Sequence, residues 1–271
     1  MKYALVNGKL VEEEMATIPV KSKANFFDFG VYESIRVLKG KAFHPELNAE
    51  RLFKSAKAID LQISYSKEEI LEWINKLIKA NEIKDALLRV IIFGGIEKEP
   101  LRVYIFALNF HFYPKKLYSK GVKVITFKGE RYLPEAKSTH MLLNYIALRE
   151  AFKQDAVEAL FVNRENCITE GTRSNFFAVK DNILITPPKQ AILEGTTKHI
   201  LEREASKLMT IKEGKIELGK LGEYEEFFIT STVFGVLPIN QIGTQKFRVG
   251  EKTKELIKIF REYSRNYFKT N

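Results

Sequence analysis

The sequence is poor in the features that mark secreted, zinc-bound and membrane proteins. It has one cysteine, Cys167, which excludes a disulfide framework and a cysteine-ligated zinc site and is typical of a reducing compartment. The longest apolar runs, such as residues 87–93, contain a charge and are too short to cross a membrane. No apolar core or cleavage site follows Met1, so the start does not resemble a signal peptide. We therefore expect a cytoplasmic protein without a membrane partner.

Composition and charge place the 271-residue chain among ordinary globular proteins. Hydrophobic residues make up 45% and charged residues 29%, which argues against disorder. The net charge of +10 invites a nucleic-acid interpretation, but lysine alternates with glutamate, as in residues 251–255, and no basic run alternates with aromatics. We therefore expect no nucleic-acid partner. The alternative rests on charge alone, and binding of that kind must weaken as salt rises.

Hydrophobic periodicity divides the chain into two parts. The first part contains a predicted strand at 31–38, helical spacing over 42–81, and predicted strands at 87–93 and 101–108. A polar, aperiodic stretch follows at 109–120. Beyond it, strands at 122–127, 159–162, 175–179, 183–185 and 227–229 alternate with helices near 141–153, 196–208 and 251–267. The pattern predicts a mixed α+β and α/β fold with a small domain at 1–112, a linker at 113–120 and a larger domain at 121–271.

Four short motifs carry residues suited to chemistry, although each has an ordinary structural explanation. Lys137 precedes an apolar helix and is either an amine for catalysis or a solvated residue. Glu170 ends an apolar strand before a glycine. Thr196 and Thr197 open a helix after a glycine, as an anion site or as simple caps. The fourth motif places hydroxyl groups after a predicted strand, at Thr230, Ser231 and Thr232.

Taken together, these motifs supply what pyridoxal 5'-phosphate requires of a protein. A lysine amine bonds the cofactor and moves protons. A carboxylate pairs with the pyridine nitrogen and keeps it protonated. Threonines, a helix N-terminus and an arginine hold the phosphate.

Six motifs in the expected order make the sequence similar to the fold-type IV pyridoxal-phosphate enzymes. This family contains the branched-chain and D-amino-acid aminotransferases and the aminodeoxychorismate lyases. The resemblance extends from about residue 6 to residue 250. The six matching segments are residues 27–36, 50–52, 135–139, 169–175, 186–197 and 230–232. Residues 149–151 follow the lysine at the distance usual in the family.

The resemblance implies a homodimer of two-domain subunits of the D-amino-acid aminotransferase type, with the active site between the domains and the cofactor on the larger one. It implies Lys137 and Glu170 as catalytic residues and requires no metal. The implied cofactor-binding residues are these two together with Arg51, Thr196, Thr197, Ser231 and Thr232. The implied substrate residues are Tyr32, Arg36, Arg89, Thr232 and Val233.

The sequence departs from the family pattern at several of these positions. His140 and Met141 stand where the family often has Asn followed by Tyr or Leu, so His140 either contacts the phenolic oxygen of the cofactor or is an ordinary helix-start histidine. Arg173 replaces a small residue and faces either the pocket or solvent. Leu87 stands where branched-chain enzymes carry a tyrosine two residues before the arginine, here Arg89, which either binds a carboxylate or is a strand residue.

The resemblance favours an aminotransferase that moves an amino group between a small or branched-chain α-amino acid and a 2-oxo acid in two half-reactions. The short chain fits the D-amino-acid and lyase branches, yet the loop at 94–100 lacks the Arg and His of the D-amino-acid enzymes. The alternative is a 4-amino-4-deoxychorismate lyase that releases pyruvate and 4-aminobenzoate. No extra basic cluster for its two acidic groups is evident. The hand of the amino acid stays open.

Overall fold

A computed structural model describes residues 1–110 and 112–270, and these fall into two compact units. The first unit contains residues 1–110, the short segment Ala136–His140 and residues 267–270. The second contains residues 112–135 and 141–266. The domain limits given above stay predictions. Both units contain helices and a sheet, as the mixed α/β prediction requires.

The first unit is an antiparallel sheet covered by helices. Its strands are β1 (Tyr3–Val6), β2 (Lys9–Glu12), β3 (Gly30–Leu38), β4 (Lys41–Ala42), β5 (Ala86–Phe93) and β6 (Arg102–Leu108), in the order β2-β1-β6-β5-β3-β4. Its helices are α1 (Lys23–Phe26), α2 (Pro45–Ala58) and α3 (Lys67–Ala80). The predicted strands of this part are confirmed, and the predicted helical stretch at 42–81 forms two helices, α2 and α3.

Alternation of side chains gives the sheet of the first unit two different faces. Leu88, Val90 and Ile92 of β5 are fully buried in the core that includes residues of α2 and α3. Helix α3 begins with a capping box, in which Ser66 Oγ accepts from the Glu69 N–H and Glu69 accepts from the Ser66 N–H. The opposite face packs Phe93 and Tyr104 against Ala24 of α1.

The second unit is built around a larger sheet. Its strands are β7 (Val122–Lys128), β8 (Glu158–Val162), β9 (Cys167–Gly171), β10 (Asn175–Lys180), β11 (Ile183–Thr186), β12 (Thr210–Glu213), β13 (Ile216–Glu217), β14 (Glu226–Ser231), β15 (Gly235–Ile242) and β16 (Gln245–Lys246). Its helices are α4 (Lys115–Lys120), α5 (Leu142–Lys153), α6 (Thr196–Ala205) and α7 (Glu251–Thr270), the end of which groups with the first unit. The order is β12-β11-β10-β14-β15-β7-β8-β9-β13, and β9 also pairs with β10, so the strands from β10 through β9 close into a ring.

The structure differs from the predicted elements at several places in the second unit. The stretch predicted to be irregular contains helix α4, while its residue His111 lies outside the described residues. Strands β12, β13, β15 and β16 were not predicted. Thr230 and Ser231 lie within β14 rather than after it. Within the described parts of the chain, no helix is both long enough and apolar enough to cross a membrane.

Candidate active site

Lys137 lies in a short extended segment held against the edge of β3. The Tyr32 N–H donates to the Lys137 carbonyl at 2.9 Å, and the Thr139 N–H donates to the Gly30 carbonyl at 2.9 Å. The Lys137 N–H donates to Ser55 Oγ of α2 at 3.0 Å. The Lys137 ammonium lies 4.7 Å from the centre of the Tyr32 ring. Strand pairing therefore places this amine beside a tyrosine face, where a cation is stabilised by the ring.

The three residues predicted to bind substrate from β3 and β5 share one face of the first sheet. Arg89 pairs with Ser34, so its side chain is on the same face as Tyr32, and its guanidinium carbon lies 4.8 Å from the Tyr32 ring centre. Arg36 follows on the same face, 4.9 Å from the Phe110 ring centre. The structure thus brings Lys137, Tyr32 and Arg89 together, and their roles stay predictions.

Arg51 lies on α2 and faces the opposite, helix-covered side of that sheet. Its Nε and Nη2 donate to the two carboxylate oxygens of Glu33, each at 2.7 Å. Asn48 Nδ2 also donates to Glu33, at 2.8 Å, and Glu33 is only 1% exposed. A bidentate pair of this kind fixes the plane of the guanidinium. No motif in the sequence marks Glu33 as the partner of Arg51, and the phosphate role of Arg51 stays a prediction.

Glu170 is buried at the end of β9 and has an electropositive environment. Its Oε2 accepts the Leu193 N–H at 3.0 Å. Its Oε1 lies 3.4 Å from Arg131 Nη1, which also donates to the Pro134 carbonyl at 3.2 Å. Both carboxylate oxygens therefore have a hydrogen-bond donor beside them. Arg131 is a functional candidate that sequence reasoning missed, because no motif marks it.

A β-bulge in β9 determines the direction in which the Glu170 side chain points. Between the pairs Val162–Ile168 and Leu160–Gly171, β9 has one residue more than β8. An extra residue changes the face to which the following side chain points, and bulges of this kind are frequent beside active sites. Glu170 lies within this extra stretch.

Glu170 belongs to a row of polar side chains that crosses three strands. It pairs with Asn175 of β10, which in turn pairs with Thr230 of β14. Asn175 Nδ2 donates to the Leu193 carbonyl at 2.7 Å. Thr230 is 1% exposed, and its Oγ1 has no hydrogen-bond partner among the described residues. A buried hydroxyl without a partner is costly, so its place next to this row indicates a polar group yet to be bound.

Thr196 and Thr197 open helix α6, as predicted, and Gly195 is the N-cap. A β-carbon at position 195 would overlap Asn175 Oδ1, so only glycine permits this close approach. Glycine offers no side-chain acceptor to the first N–H groups of the helix. These N–H groups and the buried Thr197 hydroxyl make a suitable anion seat.

The remaining predicted residues lie around these features. Ser231, Thr232 and Val233 are half-buried where β14 turns into β15, and the Phe234 N–H donates to Ser231 Oγ at 3.4 Å. Their roles stay predictions.

Two of the residues left open by the sequence, His140 and Arg173, have exposed side chains. His140 is 60% exposed in its side chain, and its Nδ1 lies 3.4 Å from Asp28 Oδ2. Arg173 is 40% exposed, with Nε 3.9 Å from Glu158 Oε2.

Comparison with known proteins gives a consistent result. The sequence pattern of "Amino-transferase class IV" matches residues 30–242. The chain is 30% identical to the D-alanine aminotransferase of Staphylococcus epidermidis over 98% of this chain and 99% of that one. It is 29% identical to a putative branched-chain-amino-acid aminotransferase of Methanocaldococcus jannaschii over 95% and 94%. A crystal structure of the Thermoproteus uzoniensis branched-chain aminotransferase with norvaline superposes with a TM-score of 0.88, at 28% identity over 96% and 93%.

These matches define the class of protein. The chain belongs to the class IV aminotransferases. It is a pyridoxal-phosphate-dependent transaminase of that family.

The residues present fit the cofactor. The second unit offers a buried carboxylate for a pyridinium nitrogen, a hydroxyl without a partner on Thr230 in the same row, and an uncapped helix N-terminus for a phosphate. The first unit offers the amine of Lys137.

Proposed function

We propose that this enzyme transfers the amino group of a small or branched-chain α-amino acid to a 2-oxo acid. The observation that carries the proposal is the grouping of Lys137 and Arg89 about the Tyr32 ring. It supplies a base, a partner for a substrate carboxylate, and an aromatic wall. The names of the relatives, D-alanine and branched-chain aminotransferases, agree with a small amino-acid substrate.

The residues divide the work of each half-reaction. Bound pyridoxal phosphate withdraws electrons from the carbon whose proton is removed. Lys137 takes the α-proton of the substrate on Nζ and later returns it, as a general base and acid. Glu170 keeps a proton on the pyridine nitrogen, and Arg131 lies beside the Glu170 carboxylate at 3.4 Å. Arg89 and Arg36 orient the substrate carboxylate, and Arg51, Thr196, Thr197, Ser231 and Thr232 hold the phosphate.

A half-reaction survey tests this function. The purified holoenzyme is mixed separately with L-leucine, D-alanine, L-glutamate, D-glutamate and aminodeoxychorismate, and its absorbance is followed for conversion to the pyridoxamine form. Conversion by an amino acid is expected, and the reactive enantiomer gives the hand of the substrate. Pyruvate release from aminodeoxychorismate without conversion by any amino acid would instead identify a lyase.

We also infer that the enzyme is a homodimer, because helix α5 carries an apolar face exposed to solvent in the single chain. Leu142, Tyr145, Ile146 and Phe152 recur at helical spacing and are 63%, 59%, 46% and 54% exposed. A contiguous apolar patch of this kind marks an interaction surface. A second copy is the expected occupant, since most soluble oligomers are symmetric homo-oligomers. A cytoplasmic location is proposed too, consistent with the single buried thiol of Cys167.

Sedimentation tests the dimer. Wild type is expected at twice its chain mass of 31.3 kDa, and Ile146→Asp is expected to sediment as a monomer, because a carboxylate cannot be buried unpaired at the interface. Leu208→Asp makes the same kind of change at another exposed apolar residue of the second unit and should leave the dimer intact. A monomeric wild type, or equal dissociation in both variants, would contradict the interface.

A further inference from the structure

Glu158 is a fully buried carboxylate for which the proposed function has no role. It occupies the first position of β8, a strand in which every residue is buried, and it is 0% exposed. Burying a charged group is costly unless several donors surround it. Burial raises the pKa of the Glu158 carboxyl, and the Thr172 hydroxyl and the Arg173 guanidinium act in the opposite direction.

The partners of Glu158 all lie next to it on β8 or in the turn that follows Glu170. Oε1 accepts the Ala159 N–H at 3.0 Å, the Thr172 N–H at 3.1 Å and a short hydrogen bond from Thr172 Oγ1. Oε2 accepts from Ser174 Oγ at 3.0 Å. One carboxylate thus satisfies both ends of the turn that joins β9 to β10.

The turn is packed directly on this carboxylate. A β-carbon at Gly171 would lie 3.0 Å from Glu158 Cγ and would overlap Ser174 Oγ. Glycine is therefore required for the turn to pack against Glu158. The Gly171 N–H donates to the Ser174 carbonyl at 2.7 Å, and the Thr172 N–H also reaches the Ala159 carbonyl at 3.1 Å. The position of the turn relative to β8 is therefore fixed from both the backbone and the Glu158 side chain.

The two residues that flank this turn are the members of the polar row described above. Glu170 immediately precedes it and Asn175 immediately follows it, and the two are paired. Both hold Leu193, through its N–H and its carbonyl respectively, and Leu193 leads to the N-cap Gly195 of α6. A shift of the turn would move the Glu170 carboxylate and the anion seat together.

We propose that Glu158 is a positioning residue, which acts through Glu170 by holding the turn at residues 171–174 in the geometry that directs Glu170 at the pyridine nitrogen. The inference rests on the proposed function, since it assigns Glu158 to the same site. Glu158 touches neither substrate nor cofactor. It supplies the anchored turn that the bulge in β9 alone does not provide.

Glu158→Gln tests this role with little change in shape. The amide keeps an acceptor for Thr172 but removes the negative charge, so the turn is held less firmly. We expect kcat to fall about tenfold to a hundredfold, which is the usual loss when a residue that orients a metal ligand is replaced. KM for the amino acid should stay within about twofold of the wild-type value. With ring-15N-labelled cofactor, the nitrogen chemical shift should move part of the way toward the unprotonated value.

Glu226→Gln is the matched control. Glu226 is another buried carboxylate of the same sheet, 3% exposed, and it accepts the N–H groups of Lys252 and Thr253 at the start of α7. The Glu226→Gln variant should lower thermal stability as Glu158→Gln does, but its kcat and its 15N chemical shift should stay near the wild-type values. Equal losses of kcat in the two variants would assign Glu158 a purely structural role and overturn the proposal.

A double-mutant cycle provides the decisive comparison, because a residue that acts through Glu170 loses its effect once Glu170 is changed. In the Glu170→Gln background, Glu158→Gln should alter kcat by less than about twofold. Multiplicative losses would overturn the proposal. If wild type transaminates none of the amino acids tested, the proposed function fails, whereas the 15N shift of bound cofactor in Glu158→Gln still decides whether Glu158 positions Glu170.

Discussion

Replacement of Lys137 by alanine is expected to lower the rate of amino-group transfer by at least about a thousandfold, because it removes the group that moves the α-proton. The loss of activity should come from the missing amine and not from unfolding. The backbone of this segment is held by Gly30, Tyr32 and Ser55, so loss of the Lys137 side chain should leave the fold intact. The measurements are the single-turnover rate with the best amino acid and the melting temperature, which should change little.

Lys137→Arg is the matched control for charge. It retains a cation near the Tyr32 ring but offers no amine that can bond the cofactor or exchange a proton at the required pKa. If the cation alone mattered, Lys137→Arg would keep its activity, and we expect instead that it is as inactive as the alanine variant. Borohydride reduction followed by peptide mass analysis should place the cofactor on Lys137 in wild type. Cofactor fixed on another lysine in Lys137→Ala would contradict the assignment.

The helices and the central strands could be predicted from the sequence because their signals are local. The capping pair Ser66 and Glu69 and the helical spacing of apolar residues define α3 without reference to the rest of the chain. Strand β15 escaped prediction because Pro238 lies inside it, and proline argues against an interior strand. The structure accommodates Pro238 because pairing with β7 begins only at Ile239.

The motifs of the site could be recognised from the sequence, but the residues that hold the motif side chains in place could not. Glu33, Arg131 and Glu158 act through contacts with residues 18, 39 and 14 positions away in the chain, respectively with Arg51, Glu170 and Thr172. No periodicity encodes such pairs, since they depend on which strands become neighbours. The bulge in β9 is likewise a property of pairing with β8, although it decides where the Glu170 side chain points.

Replacement of Glu170 by glutamine is expected to leave cofactor bound while lowering kcat about a hundredfold, the usual cost of removing one aligned electrostatic partner. The amide oxygen still accepts the Leu193 N–H, so the geometry of the polar row is retained. What is lost is the negative charge opposite the pyridine nitrogen. Arg131, 3.4 Å from the native carboxylate, then faces a neutral group.

The 15N chemical shift of ring-labelled cofactor measures this change directly. In wild type the ring nitrogen should be protonated near neutral pH, and in Glu170→Gln it should be unprotonated, because a neutral amide beside Arg131 no longer stabilises a pyridinium. Glu170→Asp keeps the charge and should retain a protonated nitrogen with a smaller loss of kcat. Unchanged turnover in Glu170→Gln with a protonated nitrogen would place the partner of the ring elsewhere. Loss of turnover together with the proton would tie catalysis to the charge that β9, its bulge and the turn on Glu158 hold in place.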